Sequence, residues 1–266
     1  MNRICCTAII FLSFLFSSCE NITNVDSAVA YKEYTVVNAE LSAYKIFKGV
    51  RITHTMPLGV QYDIQKTEIK NALAYLLEDG TRVITLHYTS EGLYYPVEDL
   101  YPEPGNHFEL FIKLEGKSIY GKTYIPESPG IVVTSNAGNN YLTAIVNAEP
   151  GEAYAAVWRV AIGNGQPDEI ASDFYSVESA DHFPSTLLVR TMDISPPFNS
   201  TEYSDKYFIQ VYAFDKDYKD YFISKKNSDK ITNTFTSGGG PVSWNVYGEN
   251  VIGIFIGVTE GNAIRL

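Results

Sequence analysis

The feature that most constrains this chain is a strict period of two in His107 to Leu114, where Phe108, Leu110, Ile112 and Leu114 share one side of an extended backbone. A segment with that period is a strand with one buried face, and a buried face requires a second layer. Glu115-Gly116 then turns the chain and Lys117 to Ile125 returns it. The same grammar recurs upstream. Asn71 to Leu77 and Arg82 to Thr89 flank Glu78-Asp79-Gly80-Thr81, and Asp-Gly between alternating runs is a strong hairpin signal because both central residues tolerate positive φ.

Extended segments continue along the chain. Tyr34 to Leu41 and Phe47 to Thr55 read as the first two strands, and Glu91 to Tyr95 as a short later one. Pro126 to Gly130 carries two prolines in five residues, which ends a strand and stiffens a connection. This places a boundary between an N-terminal β-sandwich over 31–126 and a C-terminal β-rich domain over 127–266. In the second part Tyr141 to Asn147, Ala153 to Ile162, Thr186 to Thr191 and Tyr207 to Phe214 read as strands. Gln166 to Ser185 is a long loop or extra strands. Tyr218, Tyr221 and Phe222 sit at helical spacing, so a short helix is expected over Lys216 to Lys225. An apolar run, Val251 to Val258, closes the chain. The expected class is all-β, two sandwich-like modules with a short helix in the second.

The first eighteen residues follow a different logic. Arg3 is their one charge, Ile4 to Phe16 is nearly continuously apolar, and Ser17-Ser18 precede Cys19. A positive start, a short apolar stretch and small residues before a cut describe a secretory signal. As a helix, Ile4 to Ser18 reaches only about 22 Å at 1.5 Å per residue, short of a hydrocarbon core about 30 Å thick. Leu15-Phe16-Ser17-Ser18-Cys19 resembles the bacterial lipobox, with Phe16 where leucine is commonest, and assigns lipid to Cys19. Residues 1–18 are then the signal and 19–30 a polar tether. Cys5, Cys6 and Cys19 are the three cysteines. A mature chain holding Cys19 alone has no disulfide and no free thiol, so its stability must come from its core.

Charge narrows the partners. Removing Arg3 from 20 basic residues leaves 19 against 31 acidic ones, a balance of −12. Such a surface repels nucleic acid and anionic headgroups, so the expected membrane attachment is the lipid on Cys19 rather than a basic face.

Catalytic signatures are missing. Gly116-Lys117-Ser118 lacks the glycine of a phosphate loop five positions earlier, where Phe111 stands, and lies between strands. Gly238 to Gly240 has no lysine. There is no Gly-x-Ser-x-Gly elbow, and His54, His87, His107 and His182 are scattered. Paired carboxylates for glycoside hydrolysis stay open, because their separation is a tertiary quantity. Asp215, Asp217 and Asp220 are candidate calcium ligands, although no EF-hand pattern surrounds them. No cofactor is expected. The 20 tyrosines, 14 phenylalanines and two tryptophans are the remaining clue. Most are expected in the core, but Tyr94, Tyr95 and Tyr101 flank the long loop Pro96 to Asn106 and are candidate binding residues.

The layout from Val36 to Ile131 is similar to the N-terminal part of the bacterial lipoproteins grouped as domain of unknown function 4249. The resemblance rests on Ala72 to Thr85, Gly92-Leu93-Tyr94, Gly105 to Leu114, Gly116 and Tyr124-Ile125-Pro126. Tyr207 to Phe222 and Asn245 to Gly257 fit its C-terminal end. It implies an immunoglobulin- or transthyretin-like first sandwich, a Bacteroidetes-type outer-membrane lipoprotein, and a neighbouring TonB-dependent transporter. It implies no activity. The leading expectation is a non-enzymatic accessory lipoprotein that binds a partner at the outer membrane. The alternative is a surface carbohydrate-binding or glycan-processing lipoprotein.

Overall fold

The computed structural model describes residues 31–57, 59–134, 140–161, 165–180, 183–194, 207–229 and 241–265. The signal segment, Cys19, the tether, His182 and Gly238 to Gly240 lie outside them. Residues Glu33–Leu266 form one compact unit. The elements are β1 (Thr35–Ser42), β2 (Val50–His54), α1 (Ile64–Thr67), β3 (Leu73–Glu78), β4 (Arg82–Tyr88), β5 (Leu93–Pro96), β6 (His107–Leu114), β7 (Lys117–Tyr124) and β8 (Ile131–Thr134). There follow β9 (Thr143–Ala148), β10 (Glu152–Ala161), β11 (Pro167–Ala171), β12 (Glu178–Ser179), β13 (Ser185–Arg190), β14 (Tyr207–Asp215), α2 (Asp217–Asp229), β15 (Val246–Tyr247), β16 (Val251–Glu260) and β17 (Ile264–Arg265). The fold is all-β, and the helix expected after Asp215 is α2.

Local chemistry sets the hairpins. β3 and β4 meet through Asp79 (φ 49°) and Gly80 (φ 67°), β6 and β7 through Glu115 (φ 49°) and Gly116 (φ 79°). Two successive positive φ values match the right-handed twist of the flanking strands. Gly116-Lys117-Ser118 is therefore a hairpin corner, as its flanks indicated. β6 spans the residues the alternation marked, and Phe108, Leu110, Ile112 and Leu114 are all buried.

Long-range pairing is less regular. Among the described residues the main sheet runs β11-β10-β14-β16-β1-β2-β5-β4-β3-β6-β7-β15, with β12 beside β10 and β17 beside β14. The C-terminal β16 lies parallel to β1, from Thr35 opposite Val251 to Ser42 opposite Val258. It also runs antiparallel to β14. The sheet thus crosses the boundary expected at 126/127, and the last long strand belongs to both halves.

Three apolar clusters follow. The first joins inward residues of β1 to β7, among them Val37, Ile52, Leu76, Tyr94, Leu110 and Ile119, with Val246 and Phe255 from the C-terminal end. A second three-stranded sheet, β13-β9-β8, covers one face of β10 and β14 through Val146, Val189, Tyr154, Ala156, Ile209 and Val211. On the other face, Ala153, Ala155 and Phe214 pack with Ile254, Ile256 and Val258 of β16, against Tyr218, Tyr221 and Phe222 of α2. Strands covered on both faces read as continuous apolar runs, which is why β10, β14 and β16 show little alternation.

Candidate binding surface

The strand pairs of the N-terminal half fix what its solvent face carries. Tyr75 of β3 stands opposite Phe111 of β6 and Thr85 of β4. Phe111 stands opposite Tyr120 of β7, and Tyr120 opposite Tyr247 of β15. Residues opposed in this way point to the same side, and the neighbours of each on its strand are core residues. The result is an aromatic row, Tyr75, Phe111, Tyr120 and Tyr247, running across four strands on the outer face. Tyr75 and Phe111 stack with centroids 5.0 Å apart and planes 14° from parallel. Phe111 and Tyr120 follow at 5.2 Å and 56°.

The surroundings of the row are apolar at the centre and charged at the rim. Leu73 and Val83 are 71% and 63% exposed, and Tyr247 is 57% exposed. Leu73 lies opposite Lys113, and Glu109 opposite Lys122. A depression of about 480 Å³ lies beside the row, lined by Leu73, Tyr75, Val83, Thr85 and His87 among others. Burial, and then the charge of Glu109, raise the Tyr120 phenol above its ordinary pKa. Apolar side chains thus cluster on one sheet face with charged residues beside them.

The three tyrosines singled out in the sequence are not brought together. Tyr94 is buried among the first cluster, where its hydroxyl donates to the Ile69 carbonyl at 2.9 Å and accepts from the Ala72 N–H at 3.0 Å. Tyr95, next on β5, faces the other way and lies against Phe47 with centroids 6.5 Å apart. Tyr101 is exposed. Adjacent strand residues point to opposite faces, which separates the first two.

The aromatic row has a signal of its own that those three lack. In β3, β6 and β7 an aromatic occupies the phase opposite to the core residues, where polar side chains are the rule for a strand facing water.

Asp215, Asp217 and Asp220 do not converge on one point either. The Asp215 carboxylate is buried and accepts from Thr123 Oγ1 at 3.0 Å and from the Tyr124 and Asp217 N–H groups at 3.3 and 3.2 Å. Asp217 and Asp220 begin α2. Among the described residues no group of three or more His, Cys, Asp or Glu is placed to hold a metal ion. Among the described residues the carboxylates with raised pKa are Glu152 and Asp215, both buried, at the start of β10 and the end of β14.

Among known families the chain matches a domain of unknown function, DUF4249, over residues 21–263. The chain belongs to the DUF4249 family. No curated protein matches it. The match spans both halves, so the family unit includes β16 and the sheet that carries the aromatic row. Among the described residues no helix is long and apolar enough to cross a membrane.

Proposed function

We propose that this DUF4249 protein is a non-enzymatic lipoprotein of the cell envelope. It is held at the outer membrane by lipid on Cys19 and docks a protein partner, a TonB-dependent transporter complex, through the aromatic row. The observation that carries the reading is the row itself, Tyr75, Phe111, Tyr120 and Tyr247 on the solvent side of β3, β6, β7 and β15. Aromatic anchors surrounded by weakly contributing polar contacts are how protein interfaces concentrate their energy. A rigid sheet also holds these rings in place, so little side-chain order remains to be lost on binding.

Surface carbohydrate binding is the second reading, favoured by the exposed rings of Tyr247 and Tyr101. Sugars stack on free ring faces, however. Tyr75 and Phe111 stack on each other with planes 14° from parallel, which leaves less ring face free for a sugar.

Affinity purification after cross-linking in cells separates the readings. Wild type is expected to recover an envelope protein that a Tyr75→Ser/Phe111→Ser/Tyr120→Ser variant, correctly folded and lipidated, does not. Equal recovery by both chains refutes docking at the row. Binding on a glycan array that is lost on Tyr247→Ala supports the second reading.

A further inference from the structure

Glu152 and Asp215 are directly opposed across β10 and β14, and both are buried. Two carboxyls in that register project to the same side of the sheet, and like charges so placed repel. Among the described residues no lysine, arginine or histidine is within ion-pair distance of either. Their partners are neutral. Asp215 is held by Thr123, the Tyr124 N–H and the Asp217 N–H. Glu152 accepts from the Tyr154 hydroxyl, and the Glu127 backbone and the Tyr124 side chain lie beside it.

These contacts form a seam at which the end of β7 is fastened to three strands of the other half. Thr123 Oγ1 accepts from the Gly257 N–H of β16 at 2.8 Å, and the Tyr124 hydroxyl donates to the Gly151 carbonyl at 2.8 Å. Thr259 Oγ1 donates to the Pro126 carbonyl at 2.5 Å. The other titratable groups at the seam are Tyr124, Tyr154, Glu149 and Asp217, none of them cationic at any working pH. Lys216 follows Asp215 but is exposed, and only its backbone N–H turns inward, to the Gly151 carbonyl.

We propose that the Glu152–Asp215 pair is a proton-operated latch: protonated, it fastens β7 to β10, β14 and β16, and ionised, it loosens that seam. Burial, the largest cause for both groups, outweighs the hydrogen bonds that favour their charged forms and raises both pKa values. The sign follows from linkage. A carboxyl whose folded pKa is raised binds its proton more tightly in the closed form, so closure is favoured at low pH and weakens as pH rises through the folded value. β7 carries Tyr120 of the aromatic row and Thr123 and Tyr124 of the seam, so the latch acts on a strand that also bears the docking surface.

Hydrogen exchange of the full protein from pH 5 to 8, corrected for intrinsic rates, tests the latch. Protection of the Tyr124 and Gly257 amides is expected to fall as pH rises, by up to tenfold per pH unit for each proton released on opening. The Leu110 amide of β6 is expected to hold its protection. A Glu152→Gln/Asp215→Asn double variant keeps acceptors for the same donors and is expected to lose the pH dependence. Flat protection in the wild type, or an unchanged slope in the double variant, overturns the proposal. Should the double variant not fold, carbon-13 titration of the wild-type carboxyls decides. Ordinary or lowered pKa values for both groups contradict the latch.

Discussion

Tyr94 and Ile69 are joined by a buried hydrogen bond, phenol to backbone carbonyl, at 2.9 Å, and the same phenol takes the Ala72 N–H at 3.0 Å. One side chain of β5 thereby satisfies two backbone groups on the approach to β3, where no ladder partner serves them. Tyr94→Phe keeps the ring and removes only the oxygen, leaving the N–H and the carbonyl unpaired in the core. The expected cost is about 1–3 kcal/mol. Urea unfolding should show a lower midpoint at an unchanged slope. An unchanged midpoint would refute this structural role.

Gly257 illustrates a different constraint. A Cβ placed there would lie 2.0 Å from the Tyr124 carbonyl oxygen and 2.7 Å from its carbon. Both atoms are backbone, and β16 is fixed between β1 and β14, so nothing adjacent moves cheaply. Gly257→Ala is expected to destabilise by about 3 kcal/mol, with strain of the kind that overpacking produces. Thermal unfolding of the variant beside wild type measures it, and equal midpoints would contradict the close approach.

Short-range structure was legible because its causes are short-range. The period in β6, the Asp79-Gly80 and Glu115-Gly116 corners and the aromatic spacing of α2 each fix an element from neighbouring residues. The parallel pairing of β1 with β16 was not legible, since Val37 meets Gly253 only through tertiary packing. The apolar run Val251 to Val258 hints at a strand buried on both faces, but it does not say between which neighbours. Tyr94 drew attention for its place beside a loop, yet one residue of phase separates a core tyrosine from a surface one. Tyr75, Phe111 and Tyr120 were readable in principle as aromatics in the outward phase. Their alignment into one row depends on the register of three strands.

The proposed lipidation of Cys19 makes a prediction independent of the fold. Metabolic labelling with a fatty-acid analogue is expected to mark the wild-type chain and not Cys19→Ala. The variant should also leave the membrane fraction, because the net charge of −11 opposes electrostatic attachment to anionic lipid. Label retained in the variant would assign the anchor elsewhere.

Docking at the aromatic row is tested most directly by a photo-activated cross-linking residue placed on the full chain in its native cells. Thr85 is the position for it, because it is exposed and lies opposite Tyr75 at the end of the row. Asn147, exposed on β9 of the smaller sheet, is the control. The expected result is a discrete adduct with one envelope protein from Thr85, lost when Phe111 and Tyr120 become serine and absent from Asn147. No adduct from Thr85, or the same adduct from both positions, would contradict the assignment of this face as the docking surface.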